Sequence, residues 1–421
     1  MQFKYNILSG LLIVLSGCNL GLLYLDFGLG DQLSVFFLII TSITLIQMFI
    51  TLPFQQFVFI HNRYNAKNSR RSNSHYSLCL FISMIISALI GLVVINYQSF
   101  FISLLIPNLQ NNLMDFTKEL FEIAILSIFV STPLMIAQQK INSLGKIVHS
   151  YLISFLPILF QLVILIYIYF NHLDINFVVW FLVGGNFCAF ALAVVFTRKS
   201  LSFLDRKCLA YIKPLFKESF RVKFAHNIHN FAFLYFINSF ASGLQTNLSS
   251  LLFLVKRLAD SLQQIIVGPL LRILPTSYAK LIDCDQQDLV FNDAKKLSKV
   301  NIIFYSSMMS VLLIGLFVFQ EMISLDEGEI KFVYLCILGF LTFSLIICLE
   351  TPYAIISMAF GKSMSFYVSN TIFSMVMLST YLSLDSFDSY TPIFCALVFA
   401  QMLVLIINRH FAKYYLEKLK F

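Results

Sequence analysis

The 421-residue chain is 59% hydrophobic and only 12% charged, with a mean hydropathy of +0.83, where soluble domains carry roughly 25% charge; water is not its main solvent. A net charge of +8 and a pI near 9.0 would suit nucleic acid only on a soluble basic domain, and no segment is long and polar enough to form one. The eight cysteines (Cys18, Cys79, Cys188, Cys208, Cys284, Cys336, Cys348, Cys395) include no C-x-x-C pair and sit mostly in apolar runs, as small hydrophobes rather than metal or redox groups.

Charge-free stretches at 32–60, 147–173, 175–197 and 224–255 each meet the roughly 20 residues a helix needs to cross a bilayer. They are too long and continuous for barrel strands, so the predicted class is an all-α polytopic membrane protein. The predicted spans are 6–25, 33–60, 77–97, 117–139, 148–170 and 176–197, then 221–243, 249–275, 299–320, 331–357, 364–384 and 391–411. That makes about twelve transmembrane helices in two six-helix lobes, 1–200 and 221–421, joined by a basic cytoplasmic linker at 201–220.

In the first span, Lys4 and then Leu15-Ser16-Gly17-Cys18 resemble a lipoprotein signal, but the apolar run continues to Leu25, which favours an ordinary span. Ser77 to Met114 is uncharged over 38 residues, about 57 Å as one helix. It must break, and Asn96-Tyr97-Gln98 is the expected place, leaving an interfacial segment that ends at Pro107-Asn108. Span four carries Thr132-Pro133 and closes at Gly145-Lys146; span ten carries Thr351-Pro352 and closes at Gly361-Lys362, an offset of 219 residues between the Thr-Pro pairs. Pro53 and Pro269, in spans two and eight, are offset by 216, and each span runs into a basic cytoplasmic loop. The two halves read as a parallel repeat.

Lysines and arginines collect in cytoplasmic loops of membrane proteins. With both termini cytoplasmic, 25 of the 29 bases fall on the inner side, Lys140 and Lys146 among them, whereas 12 of the 21 acids fall outside, including Asp26, Asp31, Glu327, Asp385 and Asp388. The linker from Arg198 to Lys223 interleaves bases with Phe203, Tyr211, Leu215 and Phe216, as an interfacial helix on an anionic leaflet or a plain loop would.

Lys256 and Arg257 are the bases that this asymmetry does not explain, because both lie within span eight. Asp260, four and three residues on, neutralises only one of them, so the site stays net positive and suits a phosphate. Glu350, just before Thr351-Pro352, is a candidate proton or cation site or the partner of a base. His226 and His229, with Asn227 and Asn230, suit a polar cavity lining better than a metal site, since no carboxylate or cysteine accompanies them. No metal or cofactor is expected, and no phosphate loop, H-E-x-x-H or G-x-S-x-G pattern marks an enzyme or ATPase.

The stretch from Leu251 to Lys280 resembles the eighth span of the multidrug/oligosaccharidyl-lipid/polysaccharide (MOP) exporter superfamily, with Lys256 or Arg257, Gly268-Pro269 and Leu274-Pro275-Thr276-Ser277 at its marker places. Leu29 to Phe36 is similar to that family's first outer loop, apart from Ser34 where it usually has glycine, and the Gly145-Lys146 and Gly361-Lys362 turns fit its pattern. With twelve spans and short loops, the resemblance points to the polysaccharide-transporter branch, the Wzx-type O-antigen or capsule-unit flippases. It implies alternating access in the inner membrane. The implied substrate is an undecaprenyl-diphosphate-linked oligosaccharide, held at its diphosphate by Lys256 and Arg257. Asp260, Glu350, His226 and Asn230 would line the cavity or couple an ion. Expected partners are that lipid-linked substrate, membrane lipids and other membrane proteins of polysaccharide assembly, with no nucleic acid.

Three alternatives stand beside this reading. A cation-coupled multidrug exporter of the same superfamily would bury an acid within span one, where this chain has Asn19, with Asp26 at the outer end. A polymerase or lipid-linked glycosyltransferase would carry a large, charged outer loop, but 98–116 holds one acid, Asp115, and no arginine. A membrane scaffold would leave the charges at depth unexplained.

Overall fold

The computed structural model describes residues 2–55, 57, 61, 69–202, 209–220, 224–283, 286–322, 326–360, 364–383 and 390–418. The turn Gly361-Lys362, the acids Asp385 and Asp388, and the side chains of His226, Arg272, Pro275, Thr276 and Lys280 lie outside the described residues. Every regular element described is helical: α1 Gln2–Phe27, α2 Asp31–Thr51, α3 Ser69–Asn96, α4 Gln98–Leu105, α5 Met114–Ile125, α6 Ile128–Ser143, α7 Ile147–Asn171 and α8 Asn176–Thr197. They continue as α9 Leu209–Glu218, α10 Phe224–Ser242, α11 Thr246–Asp283, α12 Gln287–Met322, α13 Glu327–Ala359, α14 Met364–Leu382 and α15 Thr391–Glu417. Eight of the described segments are long and apolar enough to cross a membrane. Helices suit this solvent because they satisfy every backbone group internally.

Local chemistry sets most of the boundaries. Pro53 closes α2 in a short 3-10 turn at Leu52–Phe54. The long uncharged stretch breaks where expected, α3 ending at Asn96 and α4 opening at Gln98. Gly145 takes φ +73 after α6, a left-handed position that glycine occupies without steric cost. Asp326 starts α13 with a capping box, its side chain accepting from the Glu329 N–H at 2.6 Å while the Glu329 carboxylate accepts from the Asp326 N–H at 3.1 Å.

Several spans differ from their sequence-based outlines; span two, outlined to 60, leaves the α-helix at Thr51. The fourth is two helices, α5 and α6, separated at Leu126-Ser127 by i→i+3 backbone bonds. No proline or glycine sits there; the Ser127 hydroxyl donates to Ala124 O at 2.7 Å and accepts from Gln47 Nε2 at 3.0 Å. The basic loop expected after span eight is largely helix, since α11 runs 38 residues and α12 36, about 57 and 54 Å at 1.5 Å per residue, well beyond the roughly 30 Å of hydrocarbon. Tyr278, fully buried, ties the two extensions by donating to Asp293 Oδ2 at 3.2 Å.

The helices form two compact units. The N-terminal unit comprises Val14–Asn227 with Ile237–Ser250, and the C-terminal unit comprises Met1–Ile13, Ile228–Phe236 and Leu251–Phe421. Residues after Phe236 join the N-terminal unit because Asn238 Nδ2 donates to Ser42 Oγ (2.9 Å) and Leu105 O (2.7 Å), and Asn108 Nδ2 donates to Ser239 O (3.2 Å). In the same unit Gly185 lets α8 lie on α7, where a Cβ would come within 2.7 Å of Pro157 Cα. Helix α9 lays Leu215 into a core with Phe54, Phe57, Tyr76, Cys79, Leu80 and Ile136, and exposes Lys213 and Lys217. In the C-terminal unit α13 packs on α12 and α15, and α14 on α15. Gly339 faces Phe394 so closely that a Cβ would lie 2.4 Å from its ring.

Candidate functional site

Among the described residues the C-terminal unit holds two polar centres, one on α11 and one on α13. On α11, one helical turn brings Lys256 Nζ to Asp260 Oδ2 at 2.5 Å. Lys256 is buried, its ammonium 5.5 Å from the centre of the Phe233 ring on α10, where ring face and cation attract. The Asp260 side chain is 45% exposed, so the pair opens at its acidic end. Arg257 is partly buried beside them. Two bases and one acid give these three residues a net formal charge of +1.

The second centre surrounds Glu350 on α13. Pro352 has no N–H for the Cys348 carbonyl four residues back. Asn301 of α12 supplies the missing donor at 2.8 Å, and Ser298 donates to Leu349 O at 3.0 Å. The helix is thereby pinned just before Glu350, whose carboxylate accepts from Asn408 Nδ2 at 2.7 Å and Gln401 Nε2 at 3.1 Å, both on α15. The oxygens of the same two amides, Asn408 Oδ1 and Gln401 Oε1, are buried without a hydrogen-bond partner. His229 lies beside Gln401 and edge-on to Phe373, ring centres 4.0 Å apart.

Lys256 and Asp260 are thus in contact, with Arg257 one residue from the lysine. Glu350 is held by a separate amide pair, Asn230 is half-buried on α10, and the described part of His226 is its backbone in that helix. Among the described residues no group of three or more His, Cys, Asp or Glu could hold a metal ion.

The N-terminal unit holds a third centre that sequence reasoning missed. Lys140, counted above as an inner-loop base, sits on α6 and is 2% exposed. Its ammonium donates to His61 Nε2 at 2.9 Å and to Asn73 Oδ1 at 3.2 Å. Helical spacing was the available signal, since Lys140 shares a face with buried Ile136 and Ala137, four and three residues back. Asn19, the polar residue deep in α1, donates to Ile158 O at 3.1 Å and Gln161 Oε1 at 3.2 Å, a link between helices.

The architecture matches solved transporters of the MOP superfamily. An outward-facing multidrug-resistance MATE transporter is similar at TM-score 0.73 and 11% identity, over 100% of this chain and 95% of that one. The lipid II flippase MurJ, in an inward closed conformation, is similar at TM-score 0.71 and 14% identity, over 98% of this chain and 87% of that one. A MOP superfamily transporter from Pyrococcus furiosus, described as having reversed polarity in its binding pocket, is similar at TM-score 0.71 and 13% identity, over 100% and 96%. These neighbours are transporters and a flippase, not enzymes. No protein-family model and no curated protein sequence matches the chain. The fold is therefore that of MOP-type transporters, multi-pass and built of apolar helices.

Proposed function

We propose that the chain is a flippase that moves an undecaprenyl-diphosphate-linked oligosaccharide, an O-antigen or capsule repeat unit, across the inner membrane by alternating access. The observation that carries this reading is the net positive set Lys256, Arg257 and Asp260 on α11, with Lys256 buried, in a fold shared with a lipid II flippase. Charges at bilayer depth cost roughly 2.5–3.5 kcal/mol each on insertion scales and mark substrate or ion paths. In the proposed mechanism Arg257 meets the diphosphate through a two-pronged guanidinium contact. Lys256, shared with Asp260, adds positive charge, and the exposed acid can exchange its lysine for solvent as the anion arrives. Twelve spans, both termini cytoplasmic and an inner-membrane location complete the proposal.

Replacing Lys256 and Arg257 together with glutamine is expected to abolish surface glycan display while the protein stays in the membrane at normal level. Normal display in that double variant would overturn the diphosphate role.

A second reading, a cation-coupled multidrug exporter, has the MATE likeness and the Glu350 centre in its favour, where one carboxylate and two unpartnered amide oxygens are buried together. Under either reading Glu350 is the proposed coupling position. The neutral Asn19 inside α1, spent on holding α7, weighs toward the flippase.

A further inference from the structure

Lys140 is buried with no carboxylate in ion-pair range among the described residues. Its immediate surroundings gather titratable side chains. His61, in the segment after α2, presents Nε2 to the lysine, and Ser72 Oγ stands 2.9 Å from the same nitrogen. Phe57 stacks on both imidazoles, its ring centre 4.9 Å from that of His61 and 5.4 Å from that of His75. His75 Nε2 is 3.5 Å from Cys79 Sγ. The ammonium also lies 5.8 Å from the Tyr76 ring centre, and the Tyr76 hydroxyl is 2.7 Å from Thr197 Oγ1 on α8. The ionisable neighbours described around Lys140 are therefore His61 from the segment after α2 and His75, Tyr76 and Cys79 from α3; α8 contributes neutral Thr197.

A ring nitrogen that accepts from an ammonium must keep its lone pair, so His61 is neutral here with its proton on Nδ1. We propose that His61, His75 and Lys140 form a proton-binding site: the closed cluster carries its charge on Lys140, and hydration of the cluster adds a proton to His61. The ligand is the proton, and the step it is linked to is separation of α6 from α3 and from Phe57 and His61. The proposal does not rest on the identity of the transported substrate.

Linkage gives the direction. Burial, then the Lys140 charge, then His75, push the closed-state His61 imidazole down to about 3 from its ordinary value near 6.5. The hydrated form binds the extra proton between those limits, so the closed cluster is favoured above about pH 6.5 and loses stability as pH falls below it. Each pH unit in that window multiplies the open-to-closed ratio by about 10 for one histidine.

Two measurements on the full chain in lipid nanodiscs test this. Nitrogen NMR of labelled histidines from pH 8 to 4.5 should show the His61 ring neutral to below pH 5, and titration near 6.5 would overturn the proposal. Thiol labelling of Cys79, fully buried, is followed in a variant whose other seven cysteines are serine. Scaled to the unfolded chain at each pH, its rate should rise about tenfold more per unit below pH 6.5 than in the same variant with His61→Gln, which keeps an acceptor for Lys140. Equal slopes would also overturn it; should His61→Gln fail to fold, the NMR titration of the native chain decides alone.

Discussion

Among the described residues each unit holds a charge-bearing side chain away from opposite charge, Glu350 in one and Lys140 in the other, and the two are accommodated in opposite ways. Glu350 in the C-terminal unit receives two amide donors, Asn408 and Gln401, whose remaining oxygens stay unpartnered. Lys140 in the N-terminal unit gives its protons to an imidazole and an amide oxygen, beneath stacked aromatic rings. An acid held by two neutral amides is a place for a proton or cation to enter, whereas a lysine on a neutral histidine is a place from which a second positive charge is excluded. Both lie on helices with a Thr-Pro pair, α6 and α13, although the residue at the position of Glu350 under the 219-residue offset is Ser131, whose hydroxyl is turned back to Ile128 O. The charge is thus specific to each unit.

The comparison breaks most visibly if one centre is emptied. Glu350→Ala leaves two buried amide donors unpaired, a loss expected at about 2–6 kcal/mol in total from roughly 1–3 per group, measurable as a lowered unfolding midpoint in detergent. Close approaches come next. Gly185→Ala presses against Pro157 backbone and Gly339→Ala against the Phe394 ring, overpacking that costs typically about 1–3 kcal/mol. Thermal unfolding should show the larger loss at Gly185, because backbone yields less than a ring.

Smaller effects sharpen the contrast. Lys140→Met removes a buried charge at the expense of two hydrogen bonds, and its stability at neutral pH should stay within about 1.5 kcal/mol of the native chain. A loss comparable to Glu350→Ala would mean that Lys140 is a structural keystone and not a titratable one. Glu350→Gln preserves the shape and one acceptor, so stability should change little while transport falls at least about tenfold, as loss of an essential charge implies. Asp260→Asn should cost less than the roughly 3–5 kcal/mol of breaking a fully buried pair, since its side chain is 45% exposed. Glycan display should survive it, because the positive side chains remain.

Much of the fold was legible because apolar length and proline act locally. The interruption at Tyr97 and the left-handed Gly145 each follow from a few neighbouring residues, whereas span two, outlined through Pro53 to 60, leaves the α-helix at Thr51 for a 3-10 turn. The break at Leu126-Ser127 was hidden, since it involves a tertiary hydrogen bond from Gln47 and no breaker residue. Counting bases by topology set Lys256 and Arg257 apart, but it assumed that a lysine near a span end faces water. Lys140 does not, because residues nearly eighty positions upstream close over it. For Glu350, sequence supplied the carboxylate and the proline, while its partners Gln401 and Asn408 come from a helix roughly fifty residues away.

The most direct test of the proposed function is a flipping assay in vesicles that contain the purified chain and a fluorescent polyprenyl-diphosphate oligosaccharide. The native protein should carry the lipid-linked sugar to the opposite leaflet, and the variant with Lys256→Gln and Arg257→Gln should lose that activity while remaining folded. Undiminished flipping by the double variant, or no flipping by a folded native chain that instead extrudes cationic dyes, would contradict it.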